Sequence, residues 1–225
     1  MSDVTDPVLE QTFALYDDQN IQARNHVKIR WRSCPFEKVI SFVPRRGRIL
    51  DYGCGHGLLS NYLAVHAPAR EVVGIDVAAD KIASARSAAA RIQGAGAPRF
   101  EQLRPGESLP PGPWDAVVIM DVLYLLEPSA QQALIRTMAH ALAPGGRILI
   151  KEMNRAPRWK FVWGYLQEMI AVRVLRITQG RELYFVEPAE MSQWCAESGL
   201  SPREVALHEG FMHPHHLILG ERAAA

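Results

Sequence analysis

Short apolar runs alternate with longer amphipathic segments through the middle of the chain. The apolar runs are rich in β-branched residues and predict strands at 48–51, 71–76, 98–103, 114–121 and 145–153. The segments between them consist of good helix formers and predict helices at 57–66, 80–92 and 129–142. Strands that alternate with helices form βαβ units, so we expect a parallel sheet with helices on both faces.

The two ends of the chain carry further predicted elements. A shorter helix is expected at 188–199, and the closing strands at 202–209 and 215–222 can pair as a hairpin. Residues 8–43 predict one or two helices that lie across the edge or mouth of the sheet.

These elements suggest one domain with additions. We expect an N-terminal helical extension or cap at 1–46 and an α/β domain at 47–225. Within that domain, a helical insertion on the substrate side is predicted at about 154–186. A chain of 225 residues is long enough for a full core and suits a single domain with modest extensions.

Composition argues against several classes of function. The formal net charge of +1 gives no global field that would draw the protein onto nucleic acid. The three cysteines are far apart in sequence and fit a reducing compartment. The N-terminus lacks the basic and apolar regions of a secretory signal, and no uncharged apolar run reaches the ~20 residues of a membrane span. We therefore expect a cytoplasmic protein without a transmembrane segment.

A glycine-rich stretch, "ILDYGCGHGLL", follows the first predicted strand and opens the next helix. In an open parallel sheet, ligands bind beyond the carboxyl ends of the strands, and glycines let a ligand touch the backbone there. Asp76 ends the second strand, where a carboxylate can accept both hydroxyls of a ribose. A dinucleotide fingerprint would place its third glycine at position 58, but Leu58 stands there and the glycine comes at Gly57. The pattern therefore indicates a nucleoside site without pyrophosphate spacing.

Four segments in order carry a family resemblance: "ILDYGCGHG", "VVGIDV", "WDAVVIMDVLYLLEP" and "LAPGGRILIKEM". Over roughly 47–153 they resemble class I S-adenosylmethionine-dependent methyltransferases, and the two closing strands are consistent with that family. The resemblance implies a Rossmann-like, seven-stranded, mostly parallel sheet with an antiparallel last strand. It also implies S-adenosylmethionine as the cofactor.

The resemblance further assigns cofactor contacts. Asp51 and the glycine turn would hold the methionine part, Asp76 the ribose and Val77 the adenine, while Asp121 would lie beside the transferable methyl group. The implied cofactor-binding residues are Asp51, Gly53, Cys54, Gly55, His56, Gly57, Asp76, Val77 and Asp121.

One position departs from the family pattern. Many members have an acid after the third strand that binds the adenine amino group, and its usual place falls near Arg104. Arginine cannot accept that hydrogen bond. Glu101, Glu107 or the backbone would have to make the contact, and the sequence leaves the three alternatives open.

The turn after the fourth strand, "MDVLYLLEP", lacks the Pro-Pro pair of family members that methylate exocyclic amines. A small-molecule or lipid-like acceptor is therefore expected. Removing a proton from an oxygen or carbon acceptor requires a base, and Glu152, at the end of the fifth strand, is the first candidate. Tyr124 either lines the acceptor pocket or is a core tyrosine. His213 is either a proton acceptor or a histidine without a catalytic role, and the "MHPHH" tract has no carboxylate or cysteine spacing that would indicate a metal site.

The segment that starts at the end of the fifth strand, with "IKE" followed by "PRWK", resembles a bacterial subgroup seen among polyketide- and fatty-acid-type biosynthesis proteins. Arg158 could bind an acceptor carboxylate or phosphate, and Trp159 and Trp163 belong to an apolar stripe. That stripe can be internal packing, a substrate wall or a peripheral membrane contact.

The leading hypothesis is O- or C-methylation of an aromatic or acyl acceptor in bacterial specialised metabolism. The alternatives are a protein that binds S-adenosylmethionine without methyl transfer, and a cyclase or lyase that consumes it. The basic stretch 24–48 is either a solvated surface or a contact for an acidic carrier protein that delivers the acceptor.

Overall fold

The computed structural model describes residues 6–93, 96–153, 183–207, 211 and 215–224, which build a seven-stranded sheet with helices on both faces. The strands are β1 Gly47–Tyr52, β2 Arg70–Asp76, β3 Arg99–Gln102, β4 Trp114–Met120, β5 Leu142–Met153, β6 Leu200–Ala206 and β7 His215–Arg222. The helices are α1 Pro7–Ala14, α2 Ile21–Ser33, α3 Phe36–Ile40, α4 Leu58–His66, α5 Ala79–Ala89, α6 Pro128–His140 and α7 Pro188–Glu197.

The strand order is β3-β2-β1-β4-β5-β7-β6. Strands β1 to β5 pair in parallel, whereas β7 runs antiparallel to both β5 and β6. This arrangement confirms the predicted fold class and the closing hairpin. The chain passes outward from β1 to β3 and then returns to the other side of β1, so the strand order reverses between β1 and β4. A crevice for a ligand is expected at the carboxyl ends of these two strands.

The N-terminal region forms three helices instead of the one or two that the sequence predicted. Pro35 separates α2 from α3, because a proline disfavours helical geometry in the residue before it. Cys34 accordingly has an extended conformation, with ψ of 143°. The division into an extension at 1–46 and a domain at 47–225 stays a prediction, and most of the predicted insertion at 154–186 lies outside the described residues.

Two apolar clusters cover the two faces of the sheet. On one face, α1 to α4 pack with side chains such as Trp31, Phe36 and Leu63. On the other face, α6 and α7 pack around residues that include Trp114 and Trp194. Since the N-terminal helices share a core with β1 and β4, they are continuous with the sheet in packing. None of the helices in the described ranges is long and apolar enough to cross a membrane.

Helix α2 and the residues just before it lie across the carboxyl end of the sheet. Gln19 Nε2 donates a hydrogen bond to the Ser84 carbonyl in α5 at 2.8 Å. At the other end of the helix, His215 Nε2 of β7 lies 2.9 Å from the Ser33 carbonyl. The helix therefore covers the edge at which β1 and β4 end.

Trp31 attaches helix α2 to the core, and this attachment can be tested. Its ring stacks on Phe36 at 5.0 Å and contacts Tyr62 of α4 at 4.8 Å. We expect Trp31→Ala to lower the free energy of unfolding by about 3–5 kcal/mol, because a large buried side chain is lost. The measurement is urea unfolding followed by fluorescence and circular dichroism. Ile29→Ala on the exposed side of α2 is the control, and equal stability of the two variants would contradict the shared core.

Candidate functional site

The turn between β1 and α4 has a backbone conformation that favours glycine. Gly53, Gly55 and Gly57 have φ of 76°, 55° and 76°, in the left-handed region that other residues adopt at a cost. A Cβ on Gly53 would lie 2.3 Å from Val122 Cγ2, whereas a Cβ on Gly55 would meet no atom within 4 Å. A Cβ on Gly57 would lie 2.6 Å from Phe100 Cζ, so the turn is packed at both ends and open at Gly55, where a ligand can approach the backbone.

Asp76 fastens this turn to the end of β2. Its Oδ2 accepts a hydrogen bond from the Gly55 amide at 2.9 Å, and its Oδ1 accepts one from the Ala78 amide at 2.8 Å. Each carboxylate oxygen retains acceptor capacity, because an ionised carboxylate offers about four lone-pair sites. Val77 beside it is an apolar side chain with 53% of its surface exposed. A carboxylate next to an exposed apolar surface suits a ribose that carries a flat base.

Asp51 joins the end of β1 to the first turn of α4. Its buried carboxylate accepts a hydrogen bond from Ser60 Oγ at 2.6 Å. Burial raises the pKa of Asp51 to about 7, although the Ser60 hydrogen bond opposes that shift. The described contacts of Asp51 are thus internal, and its contact with the methionine part of the cofactor stays a prediction.

The two other residues of the turn also make internal contacts. Cys54 lies against β2, and burial raises the pKa of its thiol well above the usual value. His56 Nδ1 lies 2.8 Å from Ser84 Oγ, and its carbonyl accepts a hydrogen bond from the Tyr16 hydroxyl at 2.9 Å. The ring of His56 is 5.0 Å from that of His26 in α2. The N-terminal region therefore covers the turn at His56, while the turn stays open at Gly55.

Asp121, directly after β4, is the centre of a buried ion-pair network. Its φ is 57°, and both its carboxylate oxygens accept from Lys151 Nζ at 2.6 Å. Arg30 of α2 forms a second ion pair with it and also contacts Cys34 Sγ at 2.7 Å. Burial alone would raise the pKa of Asp121, but the Lys151 and Arg30 cations outweigh burial and hold it well below its usual range. Asp121 is therefore anionic at neutral pH.

Glu152 supports the same turn from the other face of β5. Its Oε1 accepts hydrogen bonds from the Val122 and Leu123 amides at 3.1 and 2.8 Å. Its Oε2 is buried and has no hydrogen-bond partner within the described ranges. Burial, together with the charge of Asp121, raises the pKa of Glu152 to about 8. Consecutive residues of β5, Lys151 and Glu152, thus clamp residues 121–123 from opposite faces of the sheet.

Tyr124 is packed instead of projecting into an open crevice. Its ring is buried and stacks on Phe185 at 5.1 Å. Gln131 Nε2 connects the turn after β4 with the segment before α7, because it donates hydrogen bonds to the carbonyls of Leu126 and Tyr184, each at 2.9 Å. Tyr124 also lines a small pocket together with Glu152. Tyr124 is therefore a buried tyrosine in the wall of a small pocket, and both an acceptor-lining role and a catalytic role for it stay predictions.

Strand β3 and the loop that follows it carry the candidate side chains for the adenine contact. Glu107 Oε2 accepts a hydrogen bond from the Arg104 amide at 2.9 Å, and both side chains are exposed. Glu101 is exposed as well. Gln102, which the sequence analysis did not single out, donates from Nε2 to the Val77 carbonyl at 3.1 Å. The side-chain amide oxygen of Gln102 is a further candidate to accept a hydrogen bond from the adenine amino group.

Sequence reasoning missed Arg30 and Lys151, whose partner is Asp121. Lys151 stands in the quoted "IKE" motif, but the motif does not reveal a side chain that points toward β4. Arg30 lies 91 residues from Asp121, and no local pattern indicates that contact. Several candidates lie outside the described residues and stay predictions: Arg158, Trp159, Trp163 and His213. Within the described residues, which do not include His213, no group of three His, Cys, Asp or Glu could hold a metal ion.

Comparison with known proteins identifies the type of domain. Residues 29–205 match the family described as "Methyltransferase domain". A ubiquinone biosynthesis O-methyltransferase of Xylella fastidiosa is 32% identical over 168 residues, which are 73% of this chain and 65% of that protein. Its counterpart in Xanthomonas axonopodis pv. citri is 30% identical over 191 residues, or 83% and 73% of the two chains. The chain thus spans just under two thirds of the first relative.

Solved structures with the same fold include a cofactor complex. The magnesium protoporphyrin IX methyltransferase of Synechocystis PCC 6803 with bound SAH has a TM-score of 0.67 at 18% identity, covering 95% of this chain and 94% of that one. An O-methyltransferase family protein of Burkholderia thailandensis has a TM-score of 0.67 at 18% identity, covering 91% and 59%.

The open side of the glycine turn yields a binding prediction. Gly55→Val would place a branched side chain in the space over the turn and strain a residue with positive φ, so we expect no measurable S-adenosylmethionine binding. Asp76→Ala should weaken binding by about 10- to 100-fold, since a charged acceptor of hydrogen bonds is lost. Isothermal calorimetry measures both. Asp80→Ala, at the start of α5, is the control, and undiminished affinity in the first two variants would place the site elsewhere.

The raised pKa of Glu152 yields a stability prediction. In the folded protein Glu152 keeps its proton to about pH 8, whereas its usual pKa is 4.5, so its contribution to stability is complete below pH 4.5 and is lost progressively as the pH rises to 8. Glu152→Gln cannot ionise. The stability of the native protein relative to this variant should therefore fall by about 2 kcal/mol between pH 5.5 and 7.5. Urea unfolding at several pH values tests this. Glu204→Gln on β6 is the control, and parallel curves for native protein and Glu152→Gln would refute the shift.

Proposed function

Because the chain belongs to the family of S-adenosylmethionine-dependent methyltransferases, we propose that its carboxyl-edge crevice transfers a methyl group from S-adenosylmethionine to a hydroxyl oxygen of a small-molecule acceptor. The observation that carries the proposal is the joint placement of the open glycine turn, Asp76 and the clamped turn at Asp121 along one edge of the sheet. The O-methyltransferases among the relatives support oxygen as the acceptor atom.

The residues of the crevice fit the cofactor. Gly55 leaves its backbone accessible, Asp76 retains acceptor capacity for ribose hydroxyls, and Val77 offers an exposed apolar surface to adenine. The side chain of Arg30 is 29% exposed beside Asp121, and its helix contacts the glycine turn through His26. A guanidinium in that position suits the carboxylate of the amino-acid end.

When bound, S-adenosylmethionine would supply an electrophilic methyl group: the acceptor oxygen would bond to the methyl carbon in line as the carbon–sulfur bond breaks, with S-adenosylhomocysteine as the leaving group. Asp121 stays anionic at that edge, but its charge is compensated by Lys151 and Arg30, so it acts by fixing the turn after β4 in place. Lys151 and Glu152 keep Asp121 and the following amides in one geometry, so the site needs little reorganisation when the acceptor arrives.

Proton removal from the acceptor is assigned to Glu152. Its Oε2 is free of protein partners in the described part of the chain, and a pKa of about 8 makes it a stronger base than an exposed glutamate. Since only the ionised form accepts a proton, the rate should rise with pH up to about 8. Its Oε1 holds the Val122 and Leu123 amides, so Glu152 also positions the turn.

The acceptor class is part of the proposal. We assign an aromatic or acyl hydroxyl compound of bacterial specialised metabolism, methylated in the cytoplasm. The absence of a Pro-Pro pair in the turn after β4 supports a small-molecule acceptor over an exocyclic amine of nucleic acid.

A labelled-donor screen tests the activity. The protein is incubated with methyl-labelled S-adenosylmethionine and a panel of hydroxyaryl and hydroxyacyl compounds, and products are followed by mass spectrometry and NMR. We expect a labelled O-methyl product and one S-adenosylhomocysteine per product. Cofactor binding without S-adenosylhomocysteine would indicate a binding protein, and a different sulfur product would indicate a cyclase or lyase. A labelled methyl on carbon would overturn the choice of oxygen.

Glu152→Gln then tests the base. With an accepted substrate, we expect turnover to fall about 100-fold or more, while affinity for S-adenosylmethionine changes only a few-fold. The rising limb of the pH profile should disappear, because glutamine does not titrate. A slower variant with the native pH profile would assign Glu152 to positioning alone. Glu204→Gln should keep both the native rate and the native profile.

A further inference from the structure

Helix α2 has two sides with different surroundings. Ala23, Val27 and Trp31 are buried in the core, while His26 and Arg30 contact the glycine turn and Asp121. The opposite side faces solvent and lies above the crevice that the helix covers. We call this side the roof face and define it by Ile21, Arg24, Lys28, Ile29 and Arg32.

Charge is the first property of the roof face. Its three cations follow each other at intervals of four residues, which places them in one stripe along the helix. The helix contains no Asp or Glu. Arg24 has one distant ion pair, to Asp17 at 3.8 Å, and Lys28 and Arg32 have none within the part of the chain that the structure describes. The roof face therefore carries excess positive charge.

Exposed apolar surface is the second property. The described residues include three exposed large hydrophobic side chains: Ile21 at 71%, Ile29 at 65% and Val77 at 53%. Val77 belongs to the cofactor crevice, and the two isoleucines lie on the roof face. Isoleucines flanked by cations on one helix face suit a partner with an apolar patch among acidic groups.

We propose that the roof face docks an acidic carrier protein that delivers the acceptor, as a thioester, to the crevice below. This inference rests on the proposed function, because it names the form in which the acceptor arrives. The same helix presents Arg30 to Asp121 on its inner side. A carrier bound to the roof face would therefore lie beside the edge at which transfer takes place. The positive charge of the roof face would steer the acidic carrier toward that edge.

The apolar content of the helix favours a protein over a lipid bilayer. A helix that lies in a membrane interface needs a broad apolar face to bury among the acyl chains. The remaining apolar side chains of α2 are already buried against the core, so only Ile21 and Ile29 are free. Two separated isoleucines suffice for contact with a small protein patch but form no continuous membrane face.

Binding assays with loaded carriers test the proposal. The probes are an acidic bacterial acyl carrier protein carrying a 4-hydroxybenzoyl thioester and the same carrier with a 3-hydroxyoctanoyl thioester, titrated by calorimetry. We expect at least one to bind, with affinity falling about tenfold between 50 and 300 mM salt. The two probes separate an aromatic from an acyl acceptor.

Variants of the roof face provide the matched comparison. Lys28→Glu with Arg32→Glu should weaken carrier binding about tenfold or more, and Ile29→Ser should weaken it several-fold. Arg136→Glu on α6 makes the same kind of charge change on another surface and should have no effect. All variants should bind S-adenosylmethionine with native affinity, which controls for folding.

The outcomes distinguish the alternatives. Failure of both carriers to bind at about 0.1 mM, or equal binding by the charge-reversed variant, would overturn the proposal. Salt-sensitive binding to phosphatidylglycerol vesicles through the roof face, without carrier binding, would replace it by a membrane contact. Carrier binding without methyl transfer would support the docking surface and overturn the proposed function. Methyl transfer to free acceptors without carrier binding would support the proposed function and overturn the docking surface.

Discussion

The ion pairs of Asp121 are the interaction on which the site depends. A carboxylate, a lysine and an arginine share a space with little water, where an unpaired charge would cost several kcal/mol. The network is stable only when α2, β4 and β5 are all in place, because each supplies one of the three charges. The attachment of α2 to the sheet and the arrangement of the carboxyl edge are therefore energetically coupled.

The two acids closest to the proposed reaction have opposite protonation behaviour. Paired cations keep Asp121 ionised, whereas burial, with a neighbouring negative charge, lets Glu152 hold its proton to about pH 8. Carboxylates whose pKa values are separated in this way can do different work in one site. One provides a permanent charge, and the other can exchange a proton. The separation comes from adjacent positions on β5, since Lys151 and Glu152 point to opposite faces of the sheet.

Local patterns in the sequence were enough to predict the sheet, its helices and the glycine turn. Apolar runs of strand length and left-handed glycines are properties of neighbouring residues, and Asp51, Asp76 and Asp121 could be placed because strand ends can be read from the same runs. Local patterns could not predict which side chains contact those acids. Arg30 reaches Asp121 through tertiary packing, and the use of Glu152 Oε1 by two amides depends on the turn after β4. The break at Pro35, in contrast, was visible in the sequence and could have predicted the third N-terminal helix.

The hydrogen bond from Tyr16 to the glycine turn has an evolutionary consequence. The Tyr16 hydroxyl bonds to the main-chain oxygen of His56 and receives a bond from Asn61 Nδ2 at 2.9 Å. A main-chain oxygen is present whichever side chain occupies position 56. Substitutions at that position would remove the ring contact with His26 but keep the Tyr16 hydrogen bond, so the side chain that the turn offers to a ligand can change without loss of that main-chain contact.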